Sequence, residues 1–106
     1  SEDLVIYATD QTGRSQTFMI DRDSLLDFVV ENLVSTWNAH WRDPDEPALD
    51  HESFRSRISL PETSLESNLD ESGGVRLYLD ADGLFCDHAI CVAIDEFGWF
   101  RYAAIE

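Results

Sequence analysis

The sequence predicts an α+β domain: an antiparallel sheet of about five strands, an N-terminal hairpin plus a C-terminal three-stranded meander, covered on one face by one main helix. Three observations carry that expectation. Short apolar and β-prone runs flank three tetrapeptides with Asp first and Gly fourth. A long middle segment repeats its apolar residues at spacings of three and four. No stretch is long enough and polar enough to separate one core from another, so residues 1–106 read as a single domain.

The first tetrapeptide, Asp10-Gln11-Thr12-Gly13, separates Leu4–Thr9 from Gln16–Ile20. An Asp in first position can accept hydrogen bonds from turn N–H groups, and Gly in fourth tolerates positive φ, which together describe a type I turn closing a hairpin. The helix follows. Asp23 or Ser24 can cap its N-terminus, and Asp27 adds a carboxylate to the first turn, where the helix dipole favours it. Leu26, Val29, Val30, Leu33, Val34, Trp37 and Trp41 form an apolar stripe opposite Asp27, Glu31, Asn32, Ser35 and Asn38. Pro44 disfavours helix just before it, so the helix is predicted from about Ser24 to His40.

From Arg42 to Gly74 the pattern loosens. Asp43-Pro44-Asp45-Glu46-Pro47 is a loop by composition, and Pro47 can start a short helix running to about Ile58. Leu60, Leu65 and Leu69 tack down an otherwise polar segment, and Ser72-Gly73-Gly74 is a turn. The remaining tetrapeptides, Asp80-Ala81-Asp82-Gly83 and Asp95-Glu96-Phe97-Gly98, divide Val75–Leu79, Ala89–Ile94 and Trp99–Ile105 into a meander. Ile90, Val92 and Ile94 alternate with the small Ala89, Cys91 and Ala93, which implies that something packs close to that second face or that an edge is covered.

Charge excludes whole classes of partner. Asp and Glu number 22 against 7 arginines and no lysine, a formal net charge of -15. That surplus opposes a phosphate backbone or an anionic membrane surface and points to a basic partner. It also has two explanations that need no partner: a genome rich in Arg codons, and adaptation to high salt. No apolar run approaches the ~20 residues of a membrane span, and no charged-then-apolar leader opens the chain, so a cytoplasmic location is expected. Cys86 and Cys91 lie too close in sequence for a disulfide framework and read as reduced thiols.

Residues suited to chemistry are few. Cys86, His88 and Cys91 have metal-ligand types, but on a strand Cys86 and His88 share one face while Cys91 points to the other, so no metal is expected. No third group orients a Cys–His pair for nucleophilic attack. Asp80-Ala81-Asp82-Gly83 lacks calcium-loop spacing, since Gly falls at position four and Cys91 stands at twelve. Phosphate-cradling, nucleophile-elbow and zinc-protease motifs are missing from the sequence. The expectation is a binding protein with no cofactor, not an enzyme.

Asp43, Asp45, Glu46, Asp50 and Glu52 crowd one short window beside Trp37, Trp41 and Phe54, and Glu62, Glu66, Asp70 and Glu71 follow. A solvated loop is one reading. The sharper one is an interaction surface in which aromatic anchors sit among carboxylates that complement an Arg/Lys-rich site. On it, Trp41, Asp43, Asp45, Glu46, Asp50 and Glu52 are the candidate contact residues.

Asp82-Gly83-Leu84-Phe85, His88, Ile90, Val92, Asp95 and Gly98 follow an Asp-Gly-x-Leu-Phe-x-x-His-x-Ile-x-Val run with a later Asp-x-x-Gly turn. The stretch resembles the C-terminal part of small uncharacterised bacterial domains found among polymorphic-toxin immunity proteins. Cys86 and Asp87 stand where that pattern has Trp and Gly. The resemblance implies a role: neutralising a toxin by binding it. With the charge it yields the functional expectation of an acidic immunity or inhibitor protein that occludes a basic toxin domain, a nuclease fitting best. The alternatives are a nucleic-acid mimic that antagonises a DNA-binding protein, and an acidic housekeeping domain of a salt-adapted organism. His88 itself is expected to hydrogen-bond a neighbouring loop.

Overall fold

The computed structural model describes residues 3–61 and 63–106. Strands β1 (Asp3–Thr9) and β2 (Ser15–Asp21) pair antiparallel from Asp3↔Asp21 to Thr9↔Ser15, the predicted hairpin. Helix α1 (Arg22–Thr36) starts two residues earlier than its apolar pattern suggested. Asp21, not Asp23 or Ser24, is the N-cap: its carboxylate accepts the Ser24 amide at 2.9 Å, so the strand runs into the helix without a loop. Leu25, outside the predicted stripe, is fully buried with Val29, while Leu26 is only half-buried.

The last turn of the predicted helix is a π-helical turn, Trp37–Trp41, closed by the Arg42 amide donating to Trp37 O at 2.9 Å. A wider turn brings residues four apart nearly into line, so Trp37 and Trp41 both face inward. Helix α2 (His51–Ser56) is shorter than the predicted span, because Asp50 rather than Pro47 supplies the first-turn contact and holds extended backbone.

The predicted single five-stranded antiparallel sheet is corrected to two three-stranded sheets, ordered β2-β1-β3 and β4-β5-β6. The sixth strand is β3 (Ser64–Asn68), in the segment the sequence presented as polar tacking, and it runs parallel to β1. Parallel pairing is possible because α1 and α2 form a crossover long enough to return the chain to the same end. Strands β4 (Val75–Leu79), β5 (Ile90–Ile94) and β6 (Phe100–Ile105) form the predicted meander.

One apolar core serves both sheets. Leu4, Ile6, Phe18 and Ile20 face Leu25, Val29 and Leu33, and Val75, Leu77, Ile90 and Val92 continue it under the second sheet. Helix α1 packs on β2, β6 and α2, with the Phe28 and Phe100 rings 5.2 Å apart. Sheets set side by side stretch the molecule to 50 × 27 × 19 Å. Its radius of gyration, 14.6 Å, exceeds the ~13 Å of a compact 100-residue domain. Among the described residues no helix is long and apolar enough to cross a membrane.

Three loops between consecutive strands meet at one end. The Leu69 amide bonds Thr9 O, and the Gln16 side-chain amide bonds Glu96 O, each at 2.8 Å. Two of the predicted Asp-x-x-Gly turns form there: Asp10 Oδ1 accepts the amides of Thr12 and Arg14, and Asp95 Oδ1 those of Phe97 and Trp99. The third is not the predicted Asp80 turn but Asp70-Glu71-Ser72-Gly73, whose Asp70 Oδ1 accepts the Ser72 and Gly74 amides. Residues 80–89 instead fold into successive turns with positive φ at Asp82 and Cys86, and Asp80 pairs with Ser59.

Candidate acidic interface

The acidic loop begins where the π turn releases the chain. Arg42 reaches back to Asn38 O at 3.3 Å and forward to Glu46 O, spanning the loop with one guanidinium. The Glu46 amide donates to Asp43 O, and the Glu46 carboxylate accepts the Asp43 amide at 3.2 Å, so these four residues close on themselves. The Asn38 amide then pairs with the main chain of Leu49 in both directions: it donates to Leu49 O and accepts from Leu49 N, each at 2.9 Å. That pair imitates a rung of sheet and fixes the returning strand of loop against the π turn. Asp50 ends the loop as N-cap of α2, taking the Ser53 amide at 2.8 Å, and that bond is the main cause that holds its carboxyl below the usual range. Fully buried Phe54, edge-on to Phe85 at 6.2 Å, anchors the whole return.

The six candidate contact residues therefore divide. Asp43, Asp45, Glu46 and Glu52 are exposed, and among the described residues the carboxylates of Asp43, Asp45 and Glu52 have no ion pair or hydrogen bond. Asp50 is occupied in capping. Trp41 is half-buried, with its ring edge-on to Phe85 at 5.3 Å and to His88 at 5.7 Å, which makes it a wall of the core rather than a projecting anchor. That contact also replaces the hydrogen bond expected of His88, whose side chain makes none among the described residues.

Packing adds carboxylates from another element. Asp23, Asp27 and Glu31, one helical turn apart on α1, lie beside α2. Arg55 of α2 bonds Asp23 at 2.6 Å and also Asp27. A shallow groove of about 390 Å³ runs between the helices, lined by Asp27, Val30, Glu31, His51, Glu52 and Arg55. The four-residue spacing of Asp23, Asp27 and Glu31 was readable as one face; that this face adjoins Glu52 required the α1–α2 packing. Of the later carboxylates, Glu62 lies outside the described residues, Glu66 and Glu71 are exposed, and Asp70 is spent on its turn.

The described residues bring no three His, Cys, Asp or Glu side chains together as a metal site. Cys86 is exposed, whereas Cys91 is buried and its thiol is pushed up to about 11 by burial and by a hydrogen bond to the Glu106 carboxylate. A thiol so far from ionisation at neutral pH is a poor nucleophile. The large apolar side chains that do project into solvent lie outside the acidic loop: Tyr7, Met19, Tyr78, Phe97, Trp99 and Tyr102.

Residues 14–105 match a family described as an uncharacterized protein conserved in bacteria, DUF2262. No curated protein and no solved structure matches the chain significantly.

Proposed function

The chain belongs to this bacterial family, and from that premise we propose that it is a cytoplasmic acidic inhibitor, an immunity protein that binds and blocks a basic toxin domain, best of all a nuclease. The observation that carries this reading is the pre-organised acidic face. Asp43, Asp45 and Glu46 stand on a loop fixed by Arg42 and by the Asn38–Leu49 pair, and Glu52 and Glu31 add exposed carboxylates along the helix groove. Carboxylates held in place lose little freedom on binding, and their shared field speeds the approach of a cationic partner. Inhibition by occlusion needs no chemistry from the inhibitor. The row on α1 speaks against the rival mimic of nucleic acid, because Arg55 neutralises Asp23 and Asp27 where a phosphate strand would stay charged.

Co-purification with the product of the neighbouring gene, followed by affinity at two salt concentrations, tests the proposal. Binding should weaken as salt rises, since screening acts over about 10 Å at 0.1 M. Joint reversal, Asp45→Arg with Glu46→Arg, should slow association about tenfold or more while leaving the dissociation rate nearly unchanged. Affinity indifferent to salt would reject charge complementarity, and reversal without effect would reject the loop as contact surface. A fold that forms only in molar salt would favour the housekeeping alternative.

A further inference from the structure

The three turns that meet at one end share a backbone design, and one of them carries different side chains. In Asp10-Gln11-Thr12-Gly13 and Asp70-Glu71-Ser72-Gly73 the third residue has a hydroxyl, which donates to the turn Asp at 2.6 and 2.7 Å. Asp95-Glu96-Phe97-Gly98 has Phe97 at that place, so this turn forgoes the hydroxyl bond and sets a ring in solvent. At the next accepted amide, where the other turns have Arg14 and Gly74, stands Trp99. Phe97 is 78% exposed and Trp99 70%, the most exposed large apolar side chains among the described residues. Neither ring joins the core, yet the main chain beneath them is firmly held. Asp95 accepts the amides of both, the Asp95 amide donates to Trp99 O at 2.9 Å, and the Gln16 side chain donates to Glu96 O. Rings on a fixed hairpin tip lose little freedom when a partner covers them.

The charges around the rings select what covers them. Asp10 is paired with Arg14 at 3.1 Å, and Asp95 lies 3.8 Å from Arg101. Asp70 binds the amides of its own turn. Glu71 and Glu96 are exposed, and their carboxylates have no partner among the described residues. The turn of one touches the other: a Cβ on Gly73 would sit 3.3 Å from Glu96 Cβ. Arg14 reaches the same point, 3.9 Å away, with its guanidinium already held by Asp10. An anionic partner would be repelled, and a purely apolar pocket would strip water from Glu71 and Glu96 without replacing it. An arginine side chain meets both features, because its planar guanidinium stacks on an aromatic face and bonds a carboxylate in one approach. Lysine, a compact and more strongly hydrated charge, stacks less well.

We propose that the three-turn end is a second docking surface, shaped for an arginine-bearing loop of a basic protein. Phe97 and Trp99 are its stacking faces, and Glu71 and Glu96 are the carboxylates that clamp the guanidinium. It uses no residue of the acidic loop and holds for any basic protein, toxin or not.

Nuclear magnetic resonance of the isotope-labelled full chain, titrated with a hexaarginine peptide at moderate salt, is the test. The Trp99 indole and the amides of Glu71, Glu96 and Phe97 should shift together, and a hexalysine peptide should bind more weakly. Phe97→Thr with Trp99→Thr should weaken hexaarginine binding at these residues about tenfold, as the loss of two exposed cation–π contacts does. Thr is what the first turn already carries at this place, so Phe97→Thr alone should leave the thermal melt unchanged or raise it. That single variant should still weaken binding about threefold. Asp45→Arg with Glu46→Arg should leave the shifts at Trp99 in place. Shifts confined to the acidic loop and the helix groove overturn the proposal, as does the absence of any shift at millimolar peptide. So do variants at Phe97 and Trp99 that bind like wild type, hexalysine that binds as tightly, or Trp99 shifts that vanish on reversal of Asp45 and Glu46.

Discussion

At the turn end, Asp10, Asp70 and Asp95 each fold a carboxylate oxygen over two backbone amides. In the loop after the π turn, Asp43 and Asp45 present the same chemical group to water with no partner among the described residues. The difference is a matter of what the neighbouring main chain leaves unsatisfied. A tight turn ending in Gly at φ near +90°, as at Gly13, Gly73 and Gly98, points its amides inward at the Asp. The acidic loop instead satisfies its own main chain through Arg42, Glu46 and Asn38, which releases its aspartates. Net charge is therefore not one quantity: some of the acidity builds the fold, and the rest is available to a partner.

The sharpest way to break this comparison is at the turn end. A Cβ on Gly74 would come within 2.3 Å of Ile94 O, which is backbone and cannot step aside. Gly74→Ala should destabilise by about 3 kcal/mol through that overpacking, with the loss of the Gly74 amide bond to Asp70 included. Urea unfolding measures it. A loss below about 1 kcal/mol, within the range of a bland surface change, would mean that the turns are not packed against each other.

On the other side of the comparison, Asn38→Ala should cost about 2 kcal/mol, because it strands both polar groups of the part-buried Leu49 backbone. Hydrogen exchange should speed up selectively at Leu49 and its neighbours, while amides of the turn end stay protected. Uniform acceleration would show that the acidic loop has no separate anchoring.

Asp70→Ala is expected to cost about 1 kcal/mol, less than Asn38→Ala, since one of the two amides it frees, that of exposed Ser72, is open to water. Acid adds a second reading of the same site. The hydroxyl of Thr12 is the leading cause that lowers the carboxyl of Asp10, that of Ser72 does so for Asp70, and the Ser53 amide for Asp50. Folded values below the unfolded Asp value of about 3.9 mean stabilisation that is complete above it and lost as pH falls through the folded values. Urea midpoints between neutral pH and about pH 3 should fall, and Asp70→Asn should flatten that fall. An equal slope in wild type and variant would assign the acid sensitivity elsewhere.

Much of this division was legible in the residues. Alternation at Val75–Leu79 and Ile90–Ile94 placed the meander, and the spacing from Val29 to Trp37 placed α1 and its buried side. Strand β3 was not legible, because Ser64-Leu65-Glu66-Ser67-Asn68 has one apolar residue and owes its form to pairing with β1. The fourth Asp-x-x-Gly, at Asp70, was in plain view but hidden by the Ser72-Gly73-Gly74 run. Asp80 had the right pattern and the wrong place, since the chain there must bridge ten residues between β4 and β5. The acidic window stood out in the sequence, yet which of its members are free depends on caps and on ring packing. Asp50 and Trp41 carry no local mark of the structural tasks they perform.

The smallest effect gives the most direct check on the released carboxylates. Asp43→Asn with Asp45→Asn removes two charges that contact nothing described, so the cost expected of exposed substitutions is within about 0.5 kcal/mol. Its sign should be favourable: the chain keeps an excess of negative charge, and each neutralised site relieves repulsion from Glu46, Glu52 and the α1 row. Salt decides whether that explanation holds. Screening already weakens the repulsion, so the gain seen at low salt should vanish at high salt, while the cost of Asp70→Ala, a matter of short hydrogen bonds, should persist. Urea midpoints of the three proteins at two salt concentrations make the comparison. A loss above about 1 kcal/mol for the Asn pair, at either salt, would place those carboxylates among the builders of the fold and leave little of the loop for a partner.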